Sequence, residues 1–141
     1  MLKSQLKSLF ENYSISGKYF AASDISVKKK RNARKNYGIP DSEKFLALID
    51  TSFFGSAKKG LAFCMDKIYW KESGKPEASM TYDELCKSNF KVIDDMDTIQ
   101  VSFGPQKRYM NILGSSIDMK DFFQLIQGSG SFKQYFYLDF Y

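Results

Sequence analysis

The amino-acid sequence predicts an α+β fold: a strongly bent antiparallel sheet of about seven short strands, capped by a C-terminal amphipathic helix, with an N-terminal helical extension. Three observations predict it. The apolar period is helical up to about residue 40 and extended from residue 45. Short apolar runs then recur at roughly ten-residue spacing between turn residues, the mark of an antiparallel meander. A helical period returns once more, at 118–127, where it would plug one open end or face of the sheet. The chain has 141 residues and is 43% apolar, enough for one domain with one core. It divides into a helical, basic extension (1–40), the sheet and its capping helix (45–127) and an aromatic arm (131–141).

In the extension, Leu2, Leu6, Leu9, Phe10 and Tyr13 share one helical face, and Ser14 to Gly17 end it. A helix this short is marginal alone and must pack on something. A second helix is expected from a cap at Asp24 to Tyr37, with Gly38 and Pro40 as its stop. Its apolar residues, Ile25, Val27, Ala33 and Tyr37, make a thin stripe among cations, which predicts a loosely held surface helix.

Phe45 to Ile49 reads as the first strand, closed by Asp50. Leu61 to Met65 is the next, and Ile68 to Trp70 is its hairpin partner across an Asp66-Lys67 turn. Ser73-Gly74-Lys75-Pro76 is a loop. Ser79 to Tyr82 and Phe90 to Ile93 are brief strands. Ile99, Val101 and Phe103 alternate with Gln100 and Ser102, a half-buried strand broken by Gly104-Pro105. Tyr109 to Leu113 is the last strand of the meander. Ser116 or Asp118 then caps a helix with Met119, Phe122, Phe123 and Ile126 on one face, ended by Gly128 and Gly130. Six of the ten residues from Phe132 to Tyr141 are aromatic, which favours a strand or an extended arm.

The chemistry available is limited. There is no histidine, which removes the usual general base near neutral pH and excludes serine triads, Cys-His dyads and His-bearing zinc sites unless a partner supplies the imidazole. Cys64 and Cys86 lack metal or redox spacing. Gly55 to Gly60 resembles the start of a phosphate loop, but Leu61 and Ala62 stand where lysine and hydroxyl are needed. Asp94, Asp95 and Asp97 lack the oxygen spacing of a calcium loop, and the adjacent Asp83 and Glu84 cannot converge on one point. No catalytic residue, metal or cofactor is expected. Neither a signal peptide nor a membrane span is legible, so a soluble protein of a reducing cytosol is the expectation.

Charge is segregated. The chain carries +5, yet residues 1–44 hold +6 and the remainder −1. Much of the excess is one run, Lys28, Lys29, Lys30, Arg31, Arg34 and Lys35. Such a run suits an acidic partner: an acidic protein face, anionic lipid or, less well, nucleic acid.

Residues 45–127 resemble the bacterial pleckstrin-homology-like domains. The likeness is carried by Phe45-Leu46-Ala47-Leu48-Ile49-Asp50, by Phe54-Gly55-Ser56-Ala57-Lys58-Lys59-Gly60-Leu61-Ala62-Phe63 and by Lys67-Ile68-Tyr69-Trp70, together with the order of strands and final helix. The resemblance implies a partly open barrel and a binding module in place of an enzyme. It also implies that Lys58 and Lys59, with Lys67 and Lys71 nearby, are the positions at which lipid-binding members hold a phosphorylated headgroup. Cys64 and Asp66 stand where those members alternate an arginine, and 119–127 has no tryptophan.

The leading expectation is therefore a non-catalytic protein-binding module, for example an immunity protein that occludes the active site of a cognate toxin. Asp83, Glu84, Asp94, Asp95, Asp97, Tyr137 and Tyr141 are its candidate contacts. The rival expectation is peripheral association with anionic membrane through Lys58, Lys59 and the 28–35 run, with Lys28, Lys29, Lys30, Arg31, Lys67 and Lys71 as anion-binding candidates.

Overall fold

A computed structural model describes residues 7–8, 10–11, 18–93 and 98–111. The expected capping helix at 118–127 and the aromatic arm lie outside the described residues. In chain order the elements are β1 (Tyr19–Ala21), a 3-10 turn (Ala22–Asp24), α1 (Val27–Tyr37), β2 (Phe45–Asp50), β3 (Gly60–Cys64), β4 (Lys67–Lys71), β5 (Ala78–Thr81), α2 (Tyr82–Cys86), β6 (Asn89–Ile93), β7 (Thr98–Phe103) and β8 (Gln106–Asn111). Helix and antiparallel sheet are thus mixed, as the sequence predicts.

The strands form two open sheets, where one bent sheet of about seven strands was expected. The larger runs β1-β2-β3-β4-β5 and the smaller β6-β7-β8, all antiparallel. The division falls after β5 for a local reason. Thr81 accepts a hydrogen bond from the Glu84 amide, while the Glu84 carboxylate accepts one from the Thr81 amide. This reciprocal cap starts α2 at Tyr82, where a strand residue was expected, and carries the chain off the edge of β5. The turn at Gly104-Pro105 joins β7 and β8 as a tight hairpin pairing Phe103 with Gln106, so β8 begins three residues before Tyr109.

The larger sheet is covered on both faces. Every residue of β2 and β3 is buried. Ile49, Leu61, Phe63, Ile68, Trp70 and Met80 point to one side and join Phe90, Ile99, Val101 and Met110 of the smaller sheet. Lys7, Ser8, Phe10 and Glu11 are helical, and Phe10 is fully buried on this side, its ring 4.8 Å from that of Phe63. The packing partner demanded by a short N-terminal helix is thus this core.

Leu48, Ala62, Cys64 and Tyr69 point to the other side, where Ala33 and Tyr37 of α1 cover them. Helix α1 is therefore a packed layer, which corrects the reading of a loosely held surface helix. Its thin stripe suffices because Tyr37 is buried whole, a side chain worth about 2 kcal/mol in apolar burial. Ser26, not Asp24, is the N-cap, accepting from the Lys29 amide at 3.2 Å, because Asp24 belongs to the preceding turn. Gly38 ends the helix in the left-handed conformation. The Arg34 guanidinium donates to the carbonyls of Pro40 and Glu43 and holds the outgoing chain.

Gly60 opens β3 at φ +146°, where a Cβ would lie 2.2 Å from the Ile49 carbonyl oxygen and 2.8 Å from the Tyr37 hydroxyl. Only glycine lets β2, β3 and Tyr37 approach this closely.

Candidate binding face

The β2–β3 loop, residues 51–59, projects two adjacent phenylalanines into solvent. Phe53 is 85% exposed and Phe54 88%, with ring centroids 4.9 Å apart in an edge-on arrangement. Val27, at the start of α1, is the third large apolar side chain exposed among the described residues. Two exposed phenylalanines side by side cost solvation and favour covering by another molecule.

The loop that carries them is braced at both ends by hydrogen bonds to its backbone. Asp50, at its entry, has a side chain that is 0% exposed. Its Oδ1 accepts from the Ser52 amide at 2.9 Å and from the Ser52 hydroxyl, and its Oδ2 accepts from Lys29 Nζ at 2.6 Å. Burial pushes the Asp50 carboxyl up, but the hydrogen bonds from Lys29 and Ser52 outweigh it and hold the group below its ordinary range. The Ser52 hydroxyl in turn accepts from the amides of Ser56 and Ala57. Carbonyls are held as well: Lys18 donates to Ser52, Lys29 to Gly55 and Asn32 to Ser56. Gly55 and Ala57 both sit at positive φ, and Ala57 is fully buried beneath the loop. Phe53 and Phe54 thus stand at the apex of a loop held on either side of them.

The surface beside the loop is cationic. No acidic residue occurs from Ile25 to Ile39 or from Thr51 to Met65. Lys29, Asn32 and Asn36 form the stripe of α1 nearest the loop. Lys28, Arg31 and Lys35, at i, i+3 and i+7, form an exposed stripe next to it. Lys58 is exposed and Lys59 half-buried at the loop's return.

The candidate cations thus divide by role. Lys28, Arg31, Lys58 and Lys59 lie at or beside one face, and Lys30 is half-buried on α1. Lys29 is committed to Asp50, to the loop and, at 4.8 Å, to the ring of Phe20. Lys71 lies near the loop with Lys58 and Lys59, bordering a hollow with Ser52, Asn36 and one acid, Glu72, but its ammonium donates to the carbonyls of Glu72 and Lys75 and closes that turn. Lys67 stands at the far end of β4, about 13 Å from Lys71 at the usual rise of a strand.

Of the acidic candidates, Asp83 is exposed and pairs with Lys87 at 3.1 Å, and Glu84 is engaged in the cap of α2. Asp94, Asp95, Asp97, Tyr137 and Tyr141 lie outside the described residues. Sequence reasoning passed over Phe53 and Phe54. Their signal was local: two aromatics inside a turn otherwise made of Thr, Ser, Gly, Ala and Lys.

Among the described residues no helix is long and apolar enough to cross a membrane, and no group of acidic and cysteine side chains is placed to hold a metal ion. Comparison with protein-family models, curated proteins and solved structures returned no match.

Proposed function

We propose that this chain is a non-catalytic binding module that docks peripherally on an anionic membrane surface through the β2–β3 loop and the exposed cations of α1. One observation carries the reading: Phe53 and Phe54 stand 85% and 88% exposed on a braced loop whose own residues, 51–59, include two lysines and no acid. The phenylalanines would enter the headgroup boundary, and the cations would meet the lipid charge. Each cation close to such a surface contributes about 1 kcal/mol. The bracing lowers the ordering cost of docking, because the loop is held in one shape beforehand. We read the two stacked sheets as the described part of a pleckstrin-homology-like body that carries this loop.

A protein partner such as a toxin would find the same aromatic anchor. The exposed cations of α1 and of the loop's return, beside the two rings, favour lipid, whose surface is uniformly anionic.

Co-sedimentation with phosphatidylserine-containing vesicles tests the reading. The unaltered chain should pellet with these vesicles and not with pure phosphatidylcholine. Phe53→Ala/Phe54→Ala should lower the partition coefficient about tenfold or more, consistent with loss of two inserted rings. Its melting temperature should not fall, because both rings are outside the core. Equal binding by the variant, or no pelleting at all, defeats the membrane reading. Stoichiometric capture of a protein that the same variant abolishes would transfer the face to a protein partner.

A further inference from the structure

The two sheets end together, and their shared end borders a half-open cavity. The last paired row of the larger sheet is Asp50, Gly60 and Lys71, and that of the smaller is Ile93, Thr98 and Asn111. Between these rows lies a volume of about 400 Å³, bordered by Thr51, Lys59, Glu72, Ser73, Lys75 and Tyr109. Its lining comes from both ends of the β2–β3 loop, from the β4–β5 turn and from the smaller sheet.

We propose that this cavity is a binding site for a small hydroxylated anion, a short hydroxy acid or the phosphate ester of a short polyol. Charge selects the anion. Lys75 Nζ is held 3.4 Å from Glu72 Oε2 and 4.8 Å from the centroid of the Tyr109 ring, so Glu72 and Lys75 compensate each other. Lys59 makes no ion pair among the described residues, which leaves one positive charge on the lining. Hydrogen bonding selects the hydroxyls. Glu72 Oε1 is buried and accepts no hydrogen bond among the described residues, and an acceptor in that state favours a ligand that brings a donor. Thr51 and Ser73 add two hydroxyls. Tyr109 accepts from Gln100 Nε2 at 3.1 Å, which leaves its own proton to donate. Size selects a short carbon chain, because the volume is near the lower end for small-molecule sites.

The cavity shares Lys59 and the two ends of the β2–β3 loop with the docking face, and the test keeps the two readings apart. Calorimetric titration of the full chain would use glycerate, glycerol 3-phosphate, inorganic phosphate and glycerol. Glycerate or glycerol 3-phosphate should bind saturably, at least about tenfold more tightly than phosphate or glycerol, a difference of about 1.4 kcal/mol. Lys59→Met should weaken that binding by a similar factor, whereas Lys91→Met, an exposed cation on β6, should leave it unchanged. Glu72→Gln separates recognition from folding. It removes the compensating charge, so plain phosphate should bind more tightly while the preference for the hydroxylated anion shrinks. The proposal is overturned if none of the four probes saturates, if Lys59→Met binds them as the unaltered chain does, or if glycerol 3-phosphate and phosphate bind alike. Loss confined to vesicle binding in Lys59→Met, with no soluble probe bound, would assign Lys59 to the membrane face instead.

Discussion

Asp50 receives Lys29 on one carboxylate oxygen and Ser52 twice on the other, so a single buried group joins α1 to the entry of the exposed loop. Asp50→Asn should leave the Lys29 ammonium, itself 18% exposed, without its counter-charge and cost about 3 kcal/mol at neutral pH. The pH dependence follows from the lowered carboxyl. The folded chain binds this proton less tightly than the unfolded chain, whose value is near 3.8, so the stabilisation is complete above that value and is lost as pH falls through the folded pKa. Thermal unfolding of both proteins across this range should show a gap at neutral pH that narrows in acid; a gap of constant size would refute the assignment. In the sequence, Asp50 was legible only as the polar residue that stops an apolar run. Its partner lies 21 residues away on another element, and no periodicity connects them.

The elements themselves were legible wherever packing follows a simple period. The hairpin of β3 and β4 was written in the sequence as two short apolar runs across a turn, and β7 as an alternation, because there one side chain in two faces a core. Strand β1 was not, since three residues with little alternation become a strand only because β2 offers an edge to pair with. Helix α1 was legible, but its attachment was not: cations that a helical wheel assigns to solvent instead brace carbonyls through Lys29 and Arg34. Helix α2 did have a signature, Thr81 followed three residues later by Glu84. It is short enough for its cap to matter more than its length. Thr81→Ala should destabilise the protein by about 1 kcal/mol in chemical denaturation, and Thr81→Ser should restore most of the loss. A neutral Thr81→Ala would mean that Leu85, buried in the core, holds the helix without help.

At the scale of the whole molecule, the segregation of charge was visible in the sequence, and the structure adds where the apolar complement lies. The excess of +6 in residues 1–44 is carried largely by α1, and α1 is bonded to the loop that exposes Phe53 and Phe54. Docking should therefore have two components that respond differently to salt. Screening shortens the reach of charge from about 8 Å at physiological ionic strength to about 3 Å at 1 M, while the transfer of phenylalanine out of water does not weaken. Vesicle partitioning of the unaltered chain should fall with salt and then level off at a residual set by the rings. Lys28→Glu/Arg31→Glu should lower binding at low salt and converge on that same residual. Phe53→Ala/Phe54→Ala should bind measurably only at low salt and lose everything on its addition. Parallel salt curves for the two variants would mean that rings and cations do not act on the same surface, and the docking face as drawn would have to be divided.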